Sequence, residues 1–351
     1  MSSINSSSES EEQFSTKKKI EKDSFIWTIE NFSSCELINN EEVRSPLFNS
    51  KINETINWYL DMYPKGDYSV NEDYISLWLE LEDVDCIELT ALCSFYVLSV
   101  QGEKKHKKVM RVQKFNKTNK VCRCRNFLKR DLLCDSDNEL LLNGNLILGC
   151  EIFYYYGPIN NVVLSTNNNT NESLNILLND IADMLESQMF SDCVIKVGNS
   201  KMNVHKCILA SRSEVFGSIL ADQQYESCSG IIEINGFRLE VVKEMINYLY
   251  TGMSPNMDNM ACEMLEIGEK YRLERLKLMA EESLLYSLSI ENACDYLACS
   301  ELYSGEILKG FCMRFIYLNA ENVVNTEKWK KVVSDHPLLV AKIFNVAVNV
   351  D

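Results

Sequence analysis

The period of the hydrophobic pattern changes once along these 351 residues, and that change divides the chain. From residue 24 to about 156 apolar residues recur at every second position. Ile56, Trp58, Leu60 and Met62 alternate with polar neighbours, and the turn signal Pro64-Lys65-Gly66-Asp67 follows. Residues 74–82 alternate too, with Ile75, Leu77, Leu79 and Leu81 on one face. Tyr74, Ser76, Trp78 and Glu80 take the other, so Trp78 is an aromatic on the less apolar face. Segments 89–100 and 146–155 are further expected strands. Several short strands broken by turns predict an antiparallel β-sandwich.

Residues 165–173 contain no apolar side chain and mark a linker, taken as 157–173. Beyond it the period becomes 3.6, with Leu174, Leu177, Leu178, Ile181, Met184 and Leu185 forming one helical stripe. A short strand is expected over 193–197 and helices from about His205. A helix over 238–250 carries Leu239, Val242, Ile246 and Leu249 and is stopped by Thr251-Gly252. Helical spacing continues over 260–288 and 290–348. The expected fold is therefore multidomain, a sandwich followed by an α+β unit over 174–288 and a helical extension over 289–351. The first 23 residues, Ser-rich and then charged, are expected to be a disordered tail.

Composition removes several functions. At 46% hydrophobic the chain has ample material for real cores. No G-x-G occurs, and the spaced pair Gly144 and Gly149 is followed by Cys150, where a phosphate-binding loop needs Lys. The three histidines, His106, His205 and His336, lie far apart, which excludes H-E-x-x-H zinc motifs and disfavours a His-based triad. Cys122-x-Cys124 with Cys134 lacks paired C-x-x-C spacing, so no metal and no cofactor are expected. No run of 18 apolar residues exists to cross a membrane, and the N-terminus has no apolar core of a secretory signal. The fourteen cysteines are expected to be reduced, in the cytoplasm or the nucleus.

Charge is distributed unevenly. The formal net charge is −16, yet residues 104–130 hold twelve Lys and Arg and no acid, leaving 23 basic against 51 acidic residues elsewhere. A nucleic-acid binder usually has a basic patch that dominates its domain, and only Phe115 and Phe127 are available in this stretch for stacking on bases. Nucleic acid is therefore disfavoured as a partner.

Particular motifs then narrow the reading. Phe190-Ser191-Asp192-Cys193 is followed by His205-Lys206-Cys207-Ile208-Leu209-Ala210-Ser211-Arg212-Ser213-Glu214-Val215-Phe216, by Tyr248-Leu249-Tyr250-Thr251-Gly252 and by Lys270-Tyr271-Arg272-Leu273-Glu274-Arg275-Leu276-Lys277. In this order they resemble the signature of a BTB/POZ domain. Trp27-Thr28-Ile29-Glu30-Asn31-Phe32, Tyr63-Pro64-Lys65-Gly66, Asp73-Tyr74-Ile75-Ser76-Leu77 and Phe127-Leu128-Lys129-Arg130-Asp131 resemble landmarks of a MATH domain. The pairing, over about residues 24 to 348, is similar to the speckle-type POZ proteins. That resemblance implies a MATH (TRAF-like) sandwich, a BTB domain and a BACK-like helical end. It also implies a non-enzymatic adaptor: the MATH groove grips a substrate peptide while BTB forms a homodimer and holds the cullin scaffold of a RING ubiquitin ligase, leading to ubiquitination and proteasomal degradation.

The resemblance further implies site residues. A substrate groove would use Trp78, Cys93, Phe115, Lys120, Cys122, Cys124 and Arg125. Cys93, Cys122 and Cys124 stand where the family has aromatic rings, which removes apolar area. Lys114, Lys117, Lys120, Arg123 and Arg125 crowd the same region. The band is then either a solvated, loop-rich edge or a groove retuned for acidic or phosphorylated peptides. Dimerisation would use Leu177, Ile181, Met184 and Ile208, whose alternative is packing within their own domain. The cullin triplet would be Gln224-Tyr225-Glu226, with Gln where the family has a hydrophobic knob; the alternative is an ordinary solvated loop. Phe344 would join a second self-association surface giving higher oligomers, or else pack in its own helix layer. Gln224 keeps a second function open, an oligomeric scaffold without cullin binding.

Overall fold

Alternation of apolar and polar residues becomes two facing sheets. The computed structural model describes residues 19–32, 41–50, 55–82, 88–134, 138–156, 168–225 and 230–347, with backbone alone for 168–175 and 223–225. The strands are β1 (Glu21–Ile29), β2 (Val43–Arg44), β3 (Phe48–Asn49), β4 (Asn57–Tyr63), β5 (Tyr74–Glu82), β6 (Leu89–Leu98), β7 (Lys104–Val109), β8 (Gln113–Phe115), β9 (Val121–Lys129), β10 (Leu141–Leu142) and β11 (Asn145–Tyr156), with a four-residue helix α1 (Asp131–Cys134) after β9. One sheet runs β1-β11-β6-β7, with β10 on β11 and β8 on β6. The other runs β2-β4-β5-β9, with β3 on β4. Every pairing is antiparallel, as the sequence predicts for a sandwich. Trp58, Leu60, Leu77 and Leu79 from one sheet meet Ala91, Phe95, Leu148 and Ile152 from the other in a core of fully buried side chains.

The second half is built on β12 (Cys193–Val197), β13 (Ser200–Val204) and β14 (Ile231–Glu233), ordered β13-β12-β14, and on helices α2 (Asn168–Ser187), α3 (Lys206–Arg212), α4 (Glu214–Tyr225), α5 (Leu239–Thr251), α6 (Ala261–Lys270) and α7 (Glu274–Tyr286). β12 and β14 are parallel, the geometry that needs the intervening helical crossover. Gly252 ends α5 at φ +71, its N–H bonded to the Tyr248 carbonyl, which is the left-handed stop expected there. The helical extension is α8 (Ala293–Leu302), α9 (Glu306–Leu318), α10 (Ala320–Val323), α11 (Glu327–Asp335) and α12 (Pro337–Ala347). Among the described residues no helix is long and apolar enough to cross a membrane.

Two expected boundaries move. β1 begins at Glu21 and Ile20 is buried, so order starts before residue 24; residues 1–18 lie outside the described residues. Sheet pairing to β11 and the 3.0 Å ion pair of Lys22 with Glu151 hold a stretch whose composition looked like tail. α2 begins at Asn168, six residues earlier than 174, because an Asn-rich polar turn offers no apolar residue to reveal its period. Residues 157–167 lie outside the described residues.

The two halves share apolar surface. Leu92, Phe153 and Tyr155 point away from the sandwich interior and join the apolar cluster that contains Phe311 and Phe315 of α9. Arg314 of α9 donates to the carbonyls of Gly310 (3.2 Å) and Ile20 (3.4 Å), and its guanidinium lies 5.7 Å from the Phe153 ring. β6 and β11 are thus covered on both faces.

Candidate functional site

Antiparallel register places one residue from each of four strands in a row on the outer face of the second sheet. Arg44 pairs with Asp61, Asp61 with Trp78, and Trp78 with Arg123. Arg44 grips the buried Asp61 with both prongs, Nε to Oδ1 at 2.7 Å and a terminal nitrogen to Oδ2 at 3.0 Å. Burial raises the Asp61 carboxyl pKa while the Arg44 hydrogen bond opposes that rise. Tyr63 leans on Trp78 at 4.9 Å between ring centroids, and its hydroxyl donates to Glu42 Oε2 at 2.8 Å. The Arg123 guanidinium lies over Trp78 at 4.6 Å. Trp78 is half-buried beneath it, so aromatic and cation form one surface.

Strand alternation separates the expected groove residues. Cys122 and Cys124 point inward on β9 while Arg123 and Arg125 point outward. Cys93 and Phe115 have no exposed surface, and Cys122 and Cys124 have 1% and 6%. This corrects the expectation that these four line a groove: they fill the space between the sheets. Phe115 sits edge-on to Trp58 at 5.1 Å. The neighbouring Cys122 thiol and burial together push the Cys93 thiol well up. Burial pushes Cys124 up to about 12. Trp78, Lys120 and Arg125 remain on the outside.

The acid-free stretch finds its acids elsewhere in the fold. Lys104 reaches Glu151 at 3.0 Å, Lys114 reaches Glu88 at 2.8 Å and Glu282 at 4.0 Å, and Lys129 reaches Asp131 at 3.2 Å. Lys107 lies 5.4 Å from the Tyr317 ring of α9. Arg125 donates through Nε to Asp67 Oδ2 at 3.1 Å and sits over Tyr68. Burial favours the neutral form of Glu151, but the hydrogen bonds from Lys22 and Lys104 prevail and hold its carboxyl below the usual range. Lys108, Lys120 and Arg123 have no carboxylate partner among the described residues. They lie on or beside β7 and β9, the outermost strands of the two sheets, which meet along one side of the sandwich. Lys108 is close enough to Cys124 for its charge to act on the thiol. The sequence places Arg123 in the basic band, but its pairing with Trp78 depends on register between strands about 45 residues apart.

The second half carries two apolar surfaces. α2 lies against α5 and turns Ile181 partly into the core, while Leu177 is 53% and Met184 36% exposed. Ile208 on α3 is half-buried beside the same core. Gln224 and Tyr225 form the last turn of α4, described by backbone alone, and Glu226 lies outside the described residues. On α12, Leu339 and Ile343 face inward and Phe344 is 67% exposed.

Arg123 and Arg125 differ in what they hold. Arg125→Glu leaves the buried Asp67 facing a like charge and should destabilise the sandwich by about 1–3 kcal/mol, the Arg side chain being half exposed. Arg123→Ala should cost under about 1 kcal/mol. Urea unfolding followed by tryptophan fluorescence separates the two, and equal losses would contradict the assignment.

Comparison with known proteins agrees with the geometry. A MATH domain model matches residues 24–152 and a BTB/POZ domain model residues 181–288. The mouse TD and POZ domain-containing protein 1 is 33% identical over 336 residues, spanning 94% of this chain and 91% of that protein. The mouse TD and POZ domain-containing protein 1-like has the same identity and coverage. Among solved structures, the BTB domain of zebrafish PATZ1 aligns at 19% identity over 34% of this chain and 97% of that one, with a TM-score of 0.29. The chain therefore belongs to the family of MATH–BTB protein-interaction adaptors, the architecture it shares with the speckle-type POZ proteins.

Proposed function

We propose that this chain is the substrate-recruiting adaptor of a cullin–RING ubiquitin ligase, acting as a dimer in the cytoplasm or nucleus. The observation that carries the reading is the uncovered apolar face of α2, borne by a chain that also holds a MATH sandwich with uncommitted cations. An apolar stripe with Leu177 and Met184 in water is stabilised by a second copy across a two-fold axis. Pairing two sandwiches lets one substrate with several weak motifs engage both, which raises avidity without any new contact. The cullin scaffold would meet the end of α4, where Gln224 replaces the hydrophobic anchor at a cost of about 1–3 kcal/mol. Substrate delivered this way is ubiquitinated by the ligase and degraded by the proteasome.

Lys108, Lys120 and Arg123 give the substrate class. Arg123 over the Trp78 ring, with Lys108 and Lys120 on or beside β7 and β9, offers charge-assisted hydrogen bonds to carboxylates or phosphates, so the site suits an extended acidic or phosphorylated peptide along those strands. Arg125 is committed to Asp67 and supports the site from the side.

Three measurements test the proposal. On peptide arrays, acidic and phosphorylated sequences should bind at least about tenfold better than neutral ones, and Arg123→Glu should abolish that preference; indifference to peptide charge sinks the substrate class. Light scattering should give a dimer for the native chain and a monomer for the double substitution Leu177→Asp, Met184→Asp. A native chain that stays monomeric at tens of micromolar removes the dimer. Cullin captured from cell extract should fall about tenfold or more with Glu226→Lys. Absence of specific capture by the native chain would favour the scaffold without cullin, to which Gln224 already points.

A further inference from the structure

The loop between β4 and β5 is built around a buried carboxylate. Asp67 accepts from Asn71 Nδ2 at 3.1 Å, from the Ser76 hydroxyl at 3.2 Å and from Arg125 Nε at 3.1 Å. Gly66 enters the turn at φ +73, and a Cβ there would strike the Asn71 carbonyl. The Asn71 N–H closes the turn on the Tyr68 carbonyl at 2.9 Å. Two apolar side chains are held in water by this frame. Tyr68 is 54% exposed, and Val70, in the 3-10 turn Ser69–Asn71, is 87% exposed. The Arg125 guanidinium lies 5.2 Å from the Tyr68 ring, so the loop abuts the outer face of β9. Arg123, the neighbouring outward residue on that strand, lies over Trp78. An exposed apolar step and a cation without a carboxylate partner among the described residues thus adjoin on one face.

We propose that Tyr68 and Val70 form an apolar subsite beside Arg123, so that the ligand is an extended acidic peptide with a bulky aliphatic side chain two residues from its acid. This subsite deepens the acidic-peptide reading given above and rests on it. A ligand side chain finds no room between the sheets, where Cys93, Phe115, Cys122 and Cys124 are packed. The apolar surface bordering the cations is the loop. Charge sets the first anchor, a carboxylate or phosphate on Arg123. Spacing sets the second. Arg123 and Arg125 are successive outward residues, about 7 Å apart along a strand, and an extended peptide repeats its side chains on one face at the same interval. A peptide with its acid on Arg123 therefore brings the side chain two positions away to Arg125. That guanidinium is already paired with Asp67 and roofed by Tyr68, so the side chain that fits there is apolar. The Asp67 frame adds preorganisation: Tyr68 and Val70 ride on backbone that is already ordered, and covering them costs little entropy.

Fluorescence polarisation on the full-length protein tests this. The probes are fluorescein-labelled Gly-Ser peptides with one central phosphoserine, either without Leu or with a single Leu one or two positions from it on either side. Leu two positions away, on at least one side, should tighten binding about tenfold over the Leu-free probe. Leu at the adjacent position points to the opposite side of an extended peptide and should gain less than about twofold. In the double substitution Tyr68→Ser, Val70→Ser, the ratio of Leu to Leu-free affinity should fall below about twofold. Val70→Ser alone, at a side chain almost wholly in water, should lower that ratio too, with the far-UV spectrum of the native chain retained. A phosphoserine probe that binds, is lost with Arg123→Glu, and gains nothing from Leu two positions away overturns the subsite and leaves the acidic-peptide site standing. An equal gain at the adjacent position, or one that survives removal of both side chains, overturns it as well. If the phosphoserine probe binds no better than its serine counterpart, the acidic-peptide reading fails and the subsite fails with it.

Discussion

Burial of β6 and β11 on both faces is the constraint on which the rest of the molecule depends. Their inner residues, among them Cys93, Phe95, Cys150 and Ile152, close the sandwich. Their outer residues, Leu92, Phe153 and Tyr155, close against α9. A strand buried on one side alone could keep its outer polar residues in water, and these two strands cannot. The consequence appears at Glu151, a carboxylate on that outer face with almost no exposed surface. It stays charged because Lys22 and Lys104 both reach it at 3.0 Å. Order therefore extends back to Ile20, whose carbonyl meets Arg314 near the other end of the chain.

The same coupling explains much of the basic band. A stretch with no acid of its own is stable in the fold because acids arrive from five positions outside it: Asp67, Glu88, Asp131, Glu151 and Glu282. Pairs with nearly buried carboxylates are structural, and breaking them would strand a charge away from water. Lys108, Lys120 and Arg123 are among the cations that the fold leaves without a carboxylate, and Arg123 lies over Trp78. The division of labour follows from alternation along β9, where thiols fill the core and guanidinium groups face out.

A comparable division holds in the second half. α2 and α12 each bury one face and present another in water, Leu177 and Met184 on the first, Phe344 on the second. Such faces suit assembly, since apolar area already ordered on a helix costs little conformational entropy when a second copy covers it. The uncovered apolar faces and the uncommitted cations thus sit on separate surfaces, and the shared contact at α9 fixes one relative to the other.

Much of this was legible in the chain itself. Period-two alternation at Ile56 to Met62 and at Ile75 to Leu81 specified the sandwich strands, and Gly252 specified the end of α5, because side-chain direction and left-handed backbone are local properties. Motif order at His205 to Phe216 and Tyr248 to Gly252 identified the BTB domain. The fate of Cys93, Phe115, Cys122 and Cys124 was not legible: whether a ring position replaced by a thiol stays at the surface depends on how two sheets approach. Nor was the split of the basic band into paired and uncommitted cations, since Lys114 and Glu282 are 168 positions apart. Residue pattern alone determined which elements form and which face of each is apolar. Only the tertiary structure decided which charges are neutralised and which remain for a partner, because electrostatic pairing depends on distance in space, and the fold alone sets that distance.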